Sequence, residues 1–86
     1  MKAYDYNDRM AALCNRAAKV CDALGDPVLS DVYALAGAEF FTRACTMRLD
    51  DAVTEVEGAR LRRVRSMEEW VTRQEEQAAR AARGRA

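Results

Sequence analysis

Residues 50–65 read DDAVTEVEGARLRRVR, and residues 66–70 that follow read SMEEW. The fold turns on whether this stretch is one helix or a hairpin that hands over to a helix. Read as helix, Val53, Val56, Leu61 and Val64 keep a roughly helical spacing, and most residues here are good helix formers. Read as a hairpin, Gly58-Ala59 is a two-residue loop with glycine at the first central position, which suits a type II′ turn. That register sets Glu57 against Arg60, Val56 against Leu61, Glu55 against Arg62 and Val53 against Val64, so unlike charges face each other and apolar groups pair. Val53 and Val56 then fall on opposite faces, so the alternation is imperfect. Ser66 with Glu69 three residues on makes a capping box. A helix that starts afresh at 66 implies a chain that is not helical at 65. The hairpin over 53–64 is therefore preferred to the helix.

Toward the C-terminus, a helix is expected from Met67 to about Arg83. Met67, Trp70, Val71 and Gln74 form its short apolar face, and Trp70 reads as its anchor to the core. Tryptophan is also enriched at interface hot spots, so a partner-facing role is the second reading. The chain ends AARAARGRA (78–86), with no apolar face and an arginine near every turn. Arg60, Arg62, Arg63 and Arg65 cluster ahead of this helix, and Arg80, Arg83 and Arg85 close the chain. Together with Trp70 these arginines are the candidate partner-binding residues. No base-reading element accompanies them, so any nucleic-acid contact would be to phosphate and without sequence preference. An acidic protein surface is the other partner they fit, and a solvated helix surface is the plain alternative.

Toward the N-terminus, a second helix is expected from Asp26-Pro27 to about Arg48. Asp26 can cap it, and Pro27 suits its first turn. Leu29, Val32, Tyr33, Ala36 and Phe40 make one stripe, while Val28, Leu35, Phe41, Cys45 and Leu49 lie off it. A helix apolar nearly all round needs two neighbours: the first helix, and either the third helix or a second subunit. Phe40 and Phe41 are both expected inside. Gly37, among alanines, permits close helix approach. The first helix is the clearest element. Tyr6, Met10, Leu13, Ala17, Val20 and Leu24 recur at spacings of 4, 3, 4, 3 and 4, with Cys14 and Cys21 widening the stripe. Most such stripes face their own core, and that reading is adopted over a partner groove. Gly25 stops the helix where positive φ is cheap, and the short link implies an antiparallel helix pair.

The 86 residues suffice for one small domain, residues 1–83, with 84–86 as a basic tail. The expected class is mainly α: an N-terminal antiparallel helix pair, a short β-hairpin and a C-terminal helix. A core this thin is marginal unless stapled, metal-bound or oligomeric. There are three cysteines and no histidine. Cys14 and Cys21 lie roughly 10 Å apart along one helix at about 1.5 Å per residue, too far for a disulfide. They read as reduced, apolar packing groups, and no zinc site is expected. Oligomerisation remains as the source of extra burial. Residues 1–57 hold six basic against ten acidic side chains, net −4, and residues 58–86 hold eight against four, net +4. Opposite ends of opposite sign can dock copies of the chain on each other. No catalytic constellation appears: no histidine base, no phosphate loop, no carboxylate cluster at metal spacing and no activated cysteine. A non-enzymatic protein without cofactors is expected. No apolar run approaches the roughly 20 residues of a membrane span, and the acidic, amphipathic start is not a signal peptide. The chain is expected in the cytoplasm where it is made, at least until it joins an assembly.

Helix, tight hairpin and a capped helix with an arginine-rich end resemble the small head–tail joining proteins of tailed phages, the gpW-like family. The resemblance covers roughly residues 40–83 and rests on Val53, Val56, Gly58, Leu61, Val64, Ser66, Met67 and Trp70. The additional N-terminal helix and the short turn depart from that pattern. The resemblance implies an α+β fold and a ring of subunits bridging portal and tail, with basic residues near packaged DNA and incorporation into a virion. The competing class is a small phage- or mobile-element-encoded inhibitor, anti-CRISPR-like, that masks a host protein. A DNA-binding regulator would need a recognition helix, and the second helix is too apolar to lie in a groove.

Overall fold

A computed structural model describes residues 3–50 and 58–84, all of them helical except the link at 24–26. Three helices follow in order: α1 (Ala3–Ala23), α2 (Pro27–Asp50) and α3 (Gly58–Gly84). They run up, down and up. α1 packs against both of the others, whereas α2 and α3 do not approach each other at backbone distance. The molecule is elongated, 49 × 22 × 16 Å, with a radius of gyration of 14.6 Å. A compact chain of this length would have about 12 Å.

The hinge follows the local chemistry of its residues. Gly25 takes φ +84°, the left-handed conformation that glycine adopts without strain. The amides of Gly25 and Asp26 donate to the carbonyls of Asp22 (3.1 Å) and Cys21 (2.9 Å), closing the end of α1. Asp26 Oδ1 then accepts the Leu29 amide at 3.0 Å and caps α2.

α1 is the helix with two neighbours. Tyr6, Met10, Leu13, Ala17 and Val20 are buried along one stripe, and Ala11, Cys14 and Cys21 along an adjacent one. The second stripe meets α2 across small residues. A Cβ added at Gly37 would lie 3.2 Å from Cys14 Cβ and 3.5 Å from the Ala11 carbonyl, so the close approach expected of Gly37 is present. Ser30 Oγ donates to the Ala18 carbonyl at 2.8 Å in the same seam.

Two sequence expectations are corrected here. First, Gly58–Val64 is the opening of α3 and not half of a hairpin, while residues 53–57 lie outside the described residues. Continuing the helix backward keeps Leu61, Val64, Met67, Val71, Gln74 and Ala78 on one side, all at least half-buried, with Val64 1 % and Val71 0 % exposed. Ser66 sits exposed in mid-helix. A cap contributes about 1 kcal/mol, while burying a valine contributes about 1.5 kcal/mol or more. The apolar stripe therefore outweighs the capping signal. Second, α2 is covered on one side only. Phe40 is partly buried against the core of Tyr6, Met10, Leu13 and Val64. Phe41, expected inside, is 58 % exposed, and so are Val28 (73 %), Leu35 (73 %) and Val32 (53 %). The neighbour that would have covered them, α3, lies on α1 instead.

Candidate functional site

Because α1 and α3 run parallel and α2 antiparallel, the start of α1, the end of α2 and the start of α3 meet at one end of the molecule. There Tyr6 and Asn7, Phe40 and Arg43, and Arg60 and Arg63 line a groove of about 350 Å³. The buried Tyr6 organises it. Its ring stands edge-on to Phe40, with centroids 6.2 Å apart and planes at 83°. The Arg60 guanidinium lies 5.5 Å from the Tyr6 ring centre, and that of Arg43 lies 5.8 Å from the Phe40 ring centre. Arg63 Nη1 donates to the Tyr6 hydroxyl at 3.1 Å. Glu39 accepts from Arg43 Nη2 at 2.7 Å, one turn back on α2. Three guanidinium groups are thus held around one aromatic pair, with Glu39 paired to Arg43.

The eight candidate residues do not form one surface. Arg60 and Arg63 reach the groove. Arg62 and Arg65 are exposed on other faces of the same turns. Trp70 is half-buried and tilts against Tyr33 of α2, with centroids 5.5 Å apart, which fits its reading as an anchor of α3. Burial of Tyr33 pushes its hydroxyl above the usual phenol range. Arg80 and Arg83 lie exposed near the far end of α3, and Arg85 lies outside the described residues. Arg60 and Arg83 are 23 residues apart on a continuous helix, about 35 Å at about 1.5 Å per residue. The arginine-rich C-terminal third is therefore two separate patches. Sequence reasoning missed Tyr6, Phe40 and Arg43 as groove residues, because they join Arg60 and Arg63 from positions 17 to 57 residues away. One signal was available: Arg43, four residues after Glu39, is one of only two cations on a largely apolar helix.

A second candidate surface is the outer side of α2, where Val28, Val32 and Leu35 lie together; Phe41 and Cys45 are exposed on a different face of the same helix. The remaining cysteines, Cys14 and Cys21, are buried and unpaired. Burial pushes both thiols up from their ordinary range, and the nearby Asp26 adds to the effect at Cys21. Such thiols stay protonated at neutral pH and make poor nucleophiles or metal ligands. Among the described residues there is no group of three His, Cys, Asp or Glu placed to hold a metal ion, and no helix long and apolar enough to cross a membrane. No protein-family model matches the chain, and no characterised protein or solved structure is significantly similar to it.

Proposed function

We propose that this chain is a non-enzymatic assembly protein that joins copies of itself through the outer side of α2. The observation that carries the reading is the exposure of three large apolar side chains, Val28, Val32 and Leu35, on one face of α2. Leaving that much apolar surface wet forfeits stability that a chain of 86 residues can ill spare. The exposed area points the same way. It is 5715 Å², against about 5,100 Å² for a typical folded monomer of this mass. A second copy laid antiparallel across a two-fold axis would bring Val28, Val32 and Leu35 of the two copies together, an isologous contact. Such a subunit fits the functional class of a phage head–tail joint, although the hairpin behind that resemblance is not formed by residues 58–64.

Sedimentation velocity at tens of micromolar tests the reading. The wild-type chain should sediment as a dimer or a larger closed species. Leu35→Asp should sediment as a folded monomer with unchanged helical circular dichroism. A wild-type chain that stays monomeric at about 100 µM would overturn self-assembly. It would move the reading to an inhibitor that uses the same surface to mask a different protein.

A further inference from the structure

We propose that the groove between the ends of α1, α2 and α3 is a binding site for a phosphate group, with Arg43, Arg60 and Arg63 as its ligands. The proposal is independent of the assembly reading. Three cations drawn from two helices repel one another when gathered around about 350 Å³ of solvent-filled space. A surface selected only for solubility would spread them. Here their positions are fixed by other groups. Arg60 lies over Tyr6 and Arg43 over Phe40, and Arg63 is tethered by the Tyr6 hydroxyl. A guanidinium laid on an aromatic face keeps its N–H donors in its own plane, directed past the ring edge and available for an oxyanion. Tyr6 is itself locked, buried in the core and braced edge-on by Phe40. Less side-chain entropy is therefore lost when a ligand enters than for arginines on a bare surface. Glu39 neutralises part of Arg43, which leaves Arg60 and Arg63 as the dominant pair. A tetrahedral dianion with several acceptor oxygens matches donors converging from two sides better than a single planar carboxylate does. The chemistry recognised is the phosphate group itself, whether free or carried by a nucleotide.

The test is an NMR titration that follows the Nε–Hε signals of Arg43, Arg60 and Arg63 at low ionic strength. Inorganic phosphate and adenosine 5′-monophosphate are the two probes. Saturable shifts of all three signals are expected with at least one probe, while Arg80 and Arg83 stay still. Tighter binding of the monophosphate would assign a nucleotide, and equal binding the phosphate group alone. Arg60→Gln and Arg63→Gln should each weaken binding about tenfold, the usual effect of deleting a hydrogen bond between charged groups. Tyr6→Phe keeps the core ring and the seat of Arg60 but removes the tether of Arg63, and should weaken binding several-fold with helical content unchanged. Absence of saturable shifts up to millimolar concentrations of both probes would overturn the proposal. So would undiminished binding by both arginine variants, or tighter binding of a glutamate-rich peptide than of either phosphate.

Discussion

Arg16 of α1 and Glu75 of α3 share two hydrogen bonds in parallel, Nη2 to Oε1 at 2.6 Å and Nε to Oε2 at 3.2 Å. The pair ties α3 to α1 well beyond the arginine groove. Its side chains remain 46 % and 40 % exposed, so water and salt screen it. Glu75→Gln should therefore lower stability by no more than about 1 kcal/mol, and by less in high salt. The Arg16 hydrogen bond holds the Glu75 carboxyl below its usual range in the folded chain. A depressed folded pKa means that the contribution is present above the ordinary carboxylate range and is lost as pH falls through the folded value. Denaturant titrations of wild type and Glu75→Gln should differ at neutral pH and converge in acid. A gap that persists or widens in acid would show that the pair does not act this way.

The two adjacent phenylalanines should behave oppositely. Phe40 packs edge-on against Tyr6 at the margin of the core, so Phe40→Ala should destabilise by about 2–3 kcal/mol, below the range for a fully buried ring. Phe41 is mostly exposed, so in a monomeric state Phe41→Ala should stay within about 0.5 kcal/mol of wild type. Thermal melts at low protein concentration make the comparison. Equal losses would mean that the α2 register is wrong.

Gly37 sets the separation of α1 and α2. Gly37→Ala sets a helix-propensity gain of about 1 kcal/mol against a Cβ contact of 3.2 Å to Cys14, and should come out near neutral. Gly37→Leu has no room for its longer side chain and should destabilise by about 2 kcal/mol or more. Urea midpoints of the two variants check this, and a leucine variant as stable as wild type would contradict the close seam.

Thiol reactivity should divide the cysteines. Cys45 is exposed, while Cys14 and Cys21 are buried. With a chromogenic disulfide reagent, one thiol should react at once and two only as the chain unfolds. Burial raises the folded pKa of Cys14 and Cys21. Their contribution is therefore complete below the ordinary thiol range and is lost as pH rises through the folded values, so stability should decline in alkali. Substituting alanine at both positions should flatten that decline.

The sequence made α1 legible because its evidence is local: a stripe from Tyr6 to Val20, then Gly25 and Asp26 closing one helix and opening the next. The two apolar sides of α2 were legible too, but which neighbour covers them depends on where α3 docks. No periodicity within Pro27–Asp50 records that. The start of α3 was misread for a physical reason. Ser66 and Glu69 satisfy the local chemistry of a helix start, while Val64 is held in a cluster with Tyr6, Met10 and Leu13 of a helix far earlier in the chain. The groove was half-legible. Arg60 and Arg63 stood out as charges, but Tyr6 and Phe40 looked like ordinary core, and in part they are.

Because α1 is the helix that the other two share, α3 is expected to behave as a separable layer, held to α2 only through side chains such as Trp70 on Tyr33. It can lift from α1 while the α1–α2 hairpin keeps its small-residue seam and its capped hinge, so the two parts can open with different free energies. Amide exchange should then be faster through Val64–Val71 than through Leu13–Val20, and identical rates would mean a single cooperative unit. An oxyanion held between Arg43 of α2 and Arg60 and Arg63 of α3 would bind the closed arrangement alone. Its concentration would then govern how often α3 opens, slowing exchange across that helix by mass action.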